Sequence, residues 1–132
     1  MKKILFTLAL LISFSSFGQT AQEYLNSGYD KAEAKDDYGA IADYTKAIEL
    51  DPNYTLAYSN RGVSKADLND YYGAIADYTK AIELDPNYSN AYTNRGINKE
   101  NLGDLNGACA DWKKAARLGN ADSAKWVANQ CN

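Results

Sequence analysis

Seventeen residues, YGAIADYTKAIELDPNY, occur twice without a change, as Tyr38–Tyr54 and again as Tyr72–Tyr88. The step from Tyr38 to Tyr72 defines a period. A fixed period of this length is the mark of an array of like units, each too small to hide its own apolar face and therefore stacked on its neighbours. Duplication also argues against a single convergent catalytic site and points to construction.

With the identical copies as anchor, the chain divides into units 21–54, 55–88 and 89–122, all of equal length. Tyr24, Tyr58 and Tyr92 share a column, followed by Gly28, Gly62 and Gly96. Ala40, Ala74 and Ala108 align next, then Tyr44, Tyr78 and Trp112, then Ala47, Ala81 and Ala115. Pro52 and Pro86 close the first two units, and Asn120 stands at the third such position. Ala40, Ile41, Tyr44, Ala47 and Ile48 fall on one stripe of a helix, and Tyr24, Gly28 and Ala32 make a similar stripe on the helix before it. Gly on one helix and Ala on its partner remove bulk, so two antiparallel helices can approach closely. Asp36, Asp70 and Asp104 precede the second helix of each pair as candidate N-caps. Asp51-Pro52 and Asp85-Pro86 stop it.

These columns resemble the signature of the tetratricopeptide repeat (TPR) family: aromatic, Gly, Ala, aromatic, Ala and Pro at positions 4, 8, 20, 24, 27 and 32 of a 34-residue unit, with Asn120 in place of the last Pro. The resemblance implies an all-α fold, a right-handed α-solenoid of three helix-turn-helix repeats. One departure recurs at position 7, usually Leu in the family, which is Ser27, Arg61 and Arg95. An Arg there is expected to lay its stem on apolar surface and keep its head wet. Residues 123–132 (SAKWVANQCN) place Trp126 in the aromatic column and Gln130 in that of the Gly, and are expected to form a capping helix. No comparable N-terminal cap is legible.

The start of the chain, Met1-Lys2-Lys3, then Ile4–Phe14, then Ser15-Ser16-Phe17-Gly18 with small Ser16 and Gly18, has the layout of a secretory signal peptide. Its apolar stretch is shorter than the roughly 20 residues of a membrane span. Cleavage after Gly18 would leave a domain of residues 19–132, with 12 basic against 17 acidic residues and a net charge of −5. The expected setting is an exported bacterial protein, periplasmic or secreted, with no stable membrane anchor after cleavage. The acidic balance and the absence of a basic cluster disfavour nucleic acid.

Export favours a disulfide between Cys109 and Cys131, because the turn near residue 120 would bring the two level. Two buried thiols are the other reading.

Catalysis has little support. The chain contains no His, so His-dependent triads and His-metal sites are ruled out. Asp43, Asp77 and Asp111 recur once per unit and are expected as a solvated face. No catalytic residue, metal ligand or cofactor is assigned, and the expected class is a non-enzymatic binding module.

The architecture offers a groove lined by the first helix of each pair. Position 6 there is Asn26, Asn60 and Asn94. An amide both donates and accepts, so such a column can hold a peptide backbone without reading its side chains. It is similar in this respect to the asparagine ladder of the repeat domain of O-linked N-acetylglucosamine transferase. Copying of one template would produce the same column. The family's carboxylate clamp needs Lys and Asn where the first unit has Leu25 and Tyr29. Lys31, Lys65 and Lys99 are expected to form salt bridges or a solvated row.

The function expected is therefore a protein–protein interaction module that binds an extended segment of a partner in the groove. The alternative is a structural assembly module of a cell-envelope complex, self-associating through its N-terminal end.

Overall fold

A computed structural model describes residues 18–132; the expected leader, apart from Gly18, lies outside the described residues. Seven helices and no strand occur among them: α1 Ala21–Glu33, α2 Asp37–Leu50, α3 Thr55–Asp67, α4 Tyr71–Leu84, α5 Ser89–Asn101, α6 Leu105–Arg117 and α7 Ala121–Gln130. Consecutive helices pack on one another, and α1 meets α3, as α3 meets α5, along one edge. None of these helices is long and apolar enough to cross a membrane. The last helix begins at Ala121, slightly before the segment expected for it, and ends at Gln130.

The start and stop of each hairpin are local. The Thr20 hydroxyl accepts from the Glu23 amide, and the carboxylates of Asp36, Asp70 and Asp104 accept from the amides of Gly39, Gly73 and Gly107 at 3.0, 2.9 and 2.8 Å. The Asn120 side chain does the same for Ser123. Between α1 and α2, the Lys35 amide donates to the Ala32 carbonyl and the Asp36 amide to the Lys31 carbonyl. That pair of bonds is the Schellman arrangement. It recurs after α3, α5 and α6. The residue at its centre has positive φ: Lys35 at 64°, Asn69 at 62°, Gly103 at 83° and Gly119 at 97°. One Asp thus ends a helix and caps the next.

Packing follows the columns. The ring of Tyr44 lies against Gly28, and that of Tyr78 against Gly62. A Cβ on Gly28 would sit 2.6 Å from Tyr44 Cε1, and one on Gly62 2.8 Å from Tyr78 Cε1. The core is divided along the stack into clusters, one holding Leu25, Ala40, Tyr44, Ala47 and Ala57, the next Ala74, Tyr78, Ala81 and Ala91. Ala57 and Ala91 belong to the following repeat, so each cluster is completed by its neighbour. In the third, Trp112 meets Trp126 of α7 at 5.2 Å between ring centroids, and Ile97, Val127 and Cys131 pack around them. Helix α7 closes this end.

The acidic column is not a solvated face. Asp77 and Asp111 are buried. Arg61 donates to Asp77 through Nε at 2.8 Å and Nη2 at 2.7 Å, and Arg95 donates to Asp111 through Nε at 2.8 Å and Nη2 at 2.6 Å. Lys65 and Lys99 add a second cation to each carboxylate at 3.0 Å. The Arg heads are therefore mostly withdrawn from water, contrary to the expectation that they stay wet. Burial of a carboxylate is tolerated because two cations and a fork of N–H donors replace its water.

Each Arg also reaches back one repeat. Arg61 Nη1 donates to Thr45 Oγ1 of α2, and Arg95 Nη1 to Thr79 Oγ1 of α4, both at 3.2 Å. Arg occurs at position 7 in the two units whose predecessor carries that Thr. The first unit has no described predecessor, and its Asp43 instead accepts from Ser27 at 2.6 Å and pairs with Lys31 at 2.8 Å. Burial pushes the Asp43 carboxyl up, but the hydrogen bonds from Lys31 and Ser27 and the Lys31 charge hold it below its ordinary value. At the other end, Lys113 replaces the Thr, and Asn129 on α7 replaces the Arg. The clamp thus belongs to internal repeat junctions.

Candidate functional site

Helices α1, α3 and α5 carry the residues that line a groove, because each second helix stacks behind them. Between α1 and α3 lies a depression of about 410 Å³ whose walls include Gln22, Leu25, Asn26, Tyr29, Asp30 and Asn60. A second, of about 240 Å³, adjoins it between Tyr29, Glu33, Asn60 and Val63, with Tyr44 and Ser64 also lining it. A third, of about 340 Å³, follows between α3 and α5, lined by Val63, Asp67, Tyr71, Asn94 and Ile97 along with Tyr78 and Asn98.

The three Asn of position 6 all stand on these walls. Asn26 is exposed, and its Oδ1 accepts from Gln22 Nε2 at 2.9 Å. Asn60 and Asn94 are half-buried. Asn60 borders the first two depressions and Asn94 the third. Their side chains form no hydrogen bond with another described residue, although the backbone carbonyl of Asn94 accepts from Asn98 Nδ2 at 2.9 Å.

Apolar surface interrupts the amides. Tyr29 and Leu56 are exposed beside Asn26 and Asn60, and Val63 lies between Asn60 and Asn94. Leu25, which is buried, and Tyr29 occupy the positions of the family's carboxylate clamp, and neither side chain carries a charge. The phenols of Tyr44 and Tyr78 are held above their ordinary value chiefly by burial, Tyr44 to about 12. Both are neutral hydroxyls at physiological pH, able to donate or accept.

Cys109 on α6 and Cys131 at the end of α7 are joined, with Cα atoms 5.6 Å apart and a separation of 22 residues. The pair lies on the closing hairpin, away from the Asn column. No group of three or more His, Cys, Asp or Glu side chains among the described residues is placed to hold a metal ion.

Sequence reasoning missed the Arg–Asp–Thr clamp. Its signal was a repeated offset: in both internal repeats the Arg stands midway in sequence between the Thr before it and the Asp after it. It also missed the carboxylates facing the groove.

A stack of helix hairpins with a lined inner groove defines a helical-repeat protein, and comparison with known proteins places it within that class. Family models described as "Tetratricopeptide repeat" match residues 55–88 and 77–110, and one described as "TPR repeat" matches residues 32–68. No curated protein matches the chain. Among solved structures, the second TPR of Spaghetti (RPAP3) bound to HSP90 peptide SRMEEVD is similar at 32% identity and a TM-score of 0.74, covering 76% of this chain and 93% of that one. The TPR2B-domain:pHsp70-complex of yeast Sti1 is similar at 30% identity and a TM-score of 0.75, covering 83% and 90%. The first TPR of Spaghetti (RPAP3), also bound to SRMEEVD, has 25% identity and a TM-score of 0.80, covering 84% and 90%. The chain belongs to the tetratricopeptide repeat family.

Proposed function

We propose that this protein is a non-catalytic interaction module that holds an extended segment of a partner protein along α1, α3 and α5. The observation that carries the reading is the placement of Asn60 and Asn94. Both amides stand on groove walls with no side-chain partner among the described residues, at equivalent positions one repeat apart. An extended backbone offers N–H and C=O groups along its length. Amides of this kind can satisfy either. The peptide-bound neighbours support this use of the fold. The leader-like residues 1–18 and the Cys109–Cys131 pair support an exported setting, since disulfides persist in oxidising compartments.

Assembly through the N-terminal end has weaker support. Ala57 and Ala91 pack fully buried on the preceding repeat, whereas Glu23, at the equivalent position, is exposed. Ser27 likewise replaces the Arg that would reach back to another repeat. A second copy stacked there would bury an unpaired carboxylate.

Peptides selected from a displayed library on the immobilised protein provide the test. Their affinity for the variant carrying Asn26→Ala, Asn60→Ala and Asn94→Ala should fall at least about tenfold, the loss of a single hydrogen bond of about 1.4 kcal/mol or more. Circular dichroism should show an unchanged fold. Undiminished binding by the folded triple variant overturns the reading.

A further inference from the structure

The second and third depressions of the groove are copies of one another. A shift of one repeat carries Tyr29 onto Val63, Glu33 onto Asp67, and Tyr44 onto Tyr78. The same shift carries Asn60 onto Asn94, Val63 onto Ile97, and Ser64 onto Asn98. Each site therefore has one carboxylate, the free amide of the position-6 column, an aliphatic wall and a neutral phenol behind, and the second also has Asn101 and Tyr71 on its walls. The next shift leads to the closing hairpin: Asn101 takes the place of the carboxylate, and Cys131 packs beside Ile97. The groove offers two such sites.

Their charge is one-sided. Glu33 and Asp67 are exposed, each lines one site, and neither is in an ion pair among the described residues. Asp30 adds a third carboxylate on the adjoining wall. No Lys or Arg lines any of the three depressions. The lysines of the same helices are committed elsewhere, Lys65 to Asp77 and Lys31 to Asp43.

An independent observation lies inside the first of the two sites. Ser64 is 1% exposed and lines the depression, and its hydroxyl is buried with no hydrogen-bond partner among the described residues. A buried hydroxyl without a partner loses its water and gains nothing in return. A polar group entering the depression from outside would satisfy it. Tyr29, 54% exposed at the rim, presents a ring to anything that enters. A ring face attracts a cation. Ala32 and Val63 complete an apolar wall against which a long aliphatic stem can lie.

We propose that the partner segment is basic and places one Lys or Arg side chain in each of these two sites, its cationic head at Glu33 in the first and at Asp67 in the second. This rests on the groove reading above and specifies its partner class. Packed helices lie about 8–10 Å apart. An extended chain advances about 3.3 Å per residue. The two basic residues should therefore be about three positions apart.

The test uses three synthetic peptides of equal length, with blocked ends and a common Ala and Tyr background. One carries two Arg three positions apart, one Gln at those positions, and one Glu. Titration followed by fluorescence anisotropy should give the order Arg, Gln, Glu, and Arg-peptide binding should weaken as salt rises. Glu33→Gln and Asp67→Asn should each lower Arg-peptide affinity roughly two- to fivefold, as expected for exposed pairs. Neither should change Gln-peptide binding or the circular dichroism spectrum. Equal affinity for all three peptides, lost in the Asn triple variant, overturns the charge assignment and leaves the groove reading standing. Binding to none of them, with library-selected peptides still captured, overturns the basic-partner assignment alone. Capture of neither overturns both.

Discussion

Arg61 on α3 and Asp77 on α4 form a two-pronged pair, Nε to Oδ2 at 2.8 Å and Nη2 to Oδ1 at 2.7 Å. The third arm of the guanidinium crosses to Thr45 on α2. One side chain thus joins both helices of its own hairpin to the hairpin before it. The Asp77 hydrogen bonds hold the guanidinium above its ordinary value against the opposing effect of burial. An apolar residue could fill the same space, but Asp77 would then lack its main partner.

Arg61→Leu should destabilise the protein by about 3 kcal/mol in urea unfolding, because it leaves a buried carboxylate with Lys65 alone. Adding Asp77→Leu should recover most of that loss, since replacing both members of a buried pair is often neutral. A double variant no more stable than Arg61→Leu would contradict this account of the clamp.

Gly62→Ala tests the close approach of α3 and α4. The new methyl would lie 2.8 Å from Tyr78 Cε1, whose ring is buried and has little room to retreat. A loss of about 1–3 kcal/mol is expected from overpacking. Combining it with Tyr78→Leu should reduce the penalty of the added methyl.

Lys35 adopts φ of 64° where the third repeat has Gly103 at 83°. A left-handed backbone costs a side-chain-bearing residue about 1–2 kcal/mol. Lys35→Gly should raise stability by about 0.5–1 kcal/mol, the gain being reduced by the greater freedom of Gly in the unfolded chain. Gly103→Ala should lower stability, and the two changes together show whether the position obeys conformation rather than contact. A melt that falls for Lys35→Gly would argue that the Lys side chain matters instead.

Alkaline unfolding should report the buried phenols. Burial raises Tyr44 to about 12 from an unfolded value of 10.0. Between those two values the unfolded chain has released a proton that the folded chain still holds, so stability falls as pH rises. The contribution is complete below about pH 10 and is lost on the way to pH 12. Tyr44→Phe should flatten this limb of the stability–pH curve, with far less effect at neutral pH. An unchanged slope would mean that the phenol is not the group involved.

The Cys109–Cys131 link should appear in mass spectrometry of the purified protein without reductant. A closed loop of this size stabilises by roughly 3 kcal/mol, chiefly by restricting the unfolded chain. Cys131→Ser should lower the unfolding midpoint accordingly and loosen α7 first. Two titratable thiols in the folded protein, purified without reductant, would refute the link.

The all-α repeat, the hairpins and their turns could be read from the chain because their causes are local or repeat identically. Capping by Asp36 and the Asp51-Pro52 stop act within a few residues; the left-handed Lys35 of the Schellman turn before Asp36 was not foreseen, because Lys carries no turn signal. The contact of Gly28 with Tyr44 joins two different helices, yet it is visible because the same small and aromatic pair returns in every unit. The Asn column was legible for the same reason. What these residues meet was not. Arg61 and Asp77 are each charged residues at the edge of an apolar stripe, and by sequence alone either could have faced water. Only the angle between α3 and α4, and the position of α2 behind them, turns two equal offsets into one buried clamp. The same holds for Glu33, Asn60 and Ser64, which come from two repeats and line one depression only after the hairpins stack. Period and turn chemistry act along the chain and so are written in it. Burial of charge and the composition of a groove arise between repeats, and only the tertiary structure decides them.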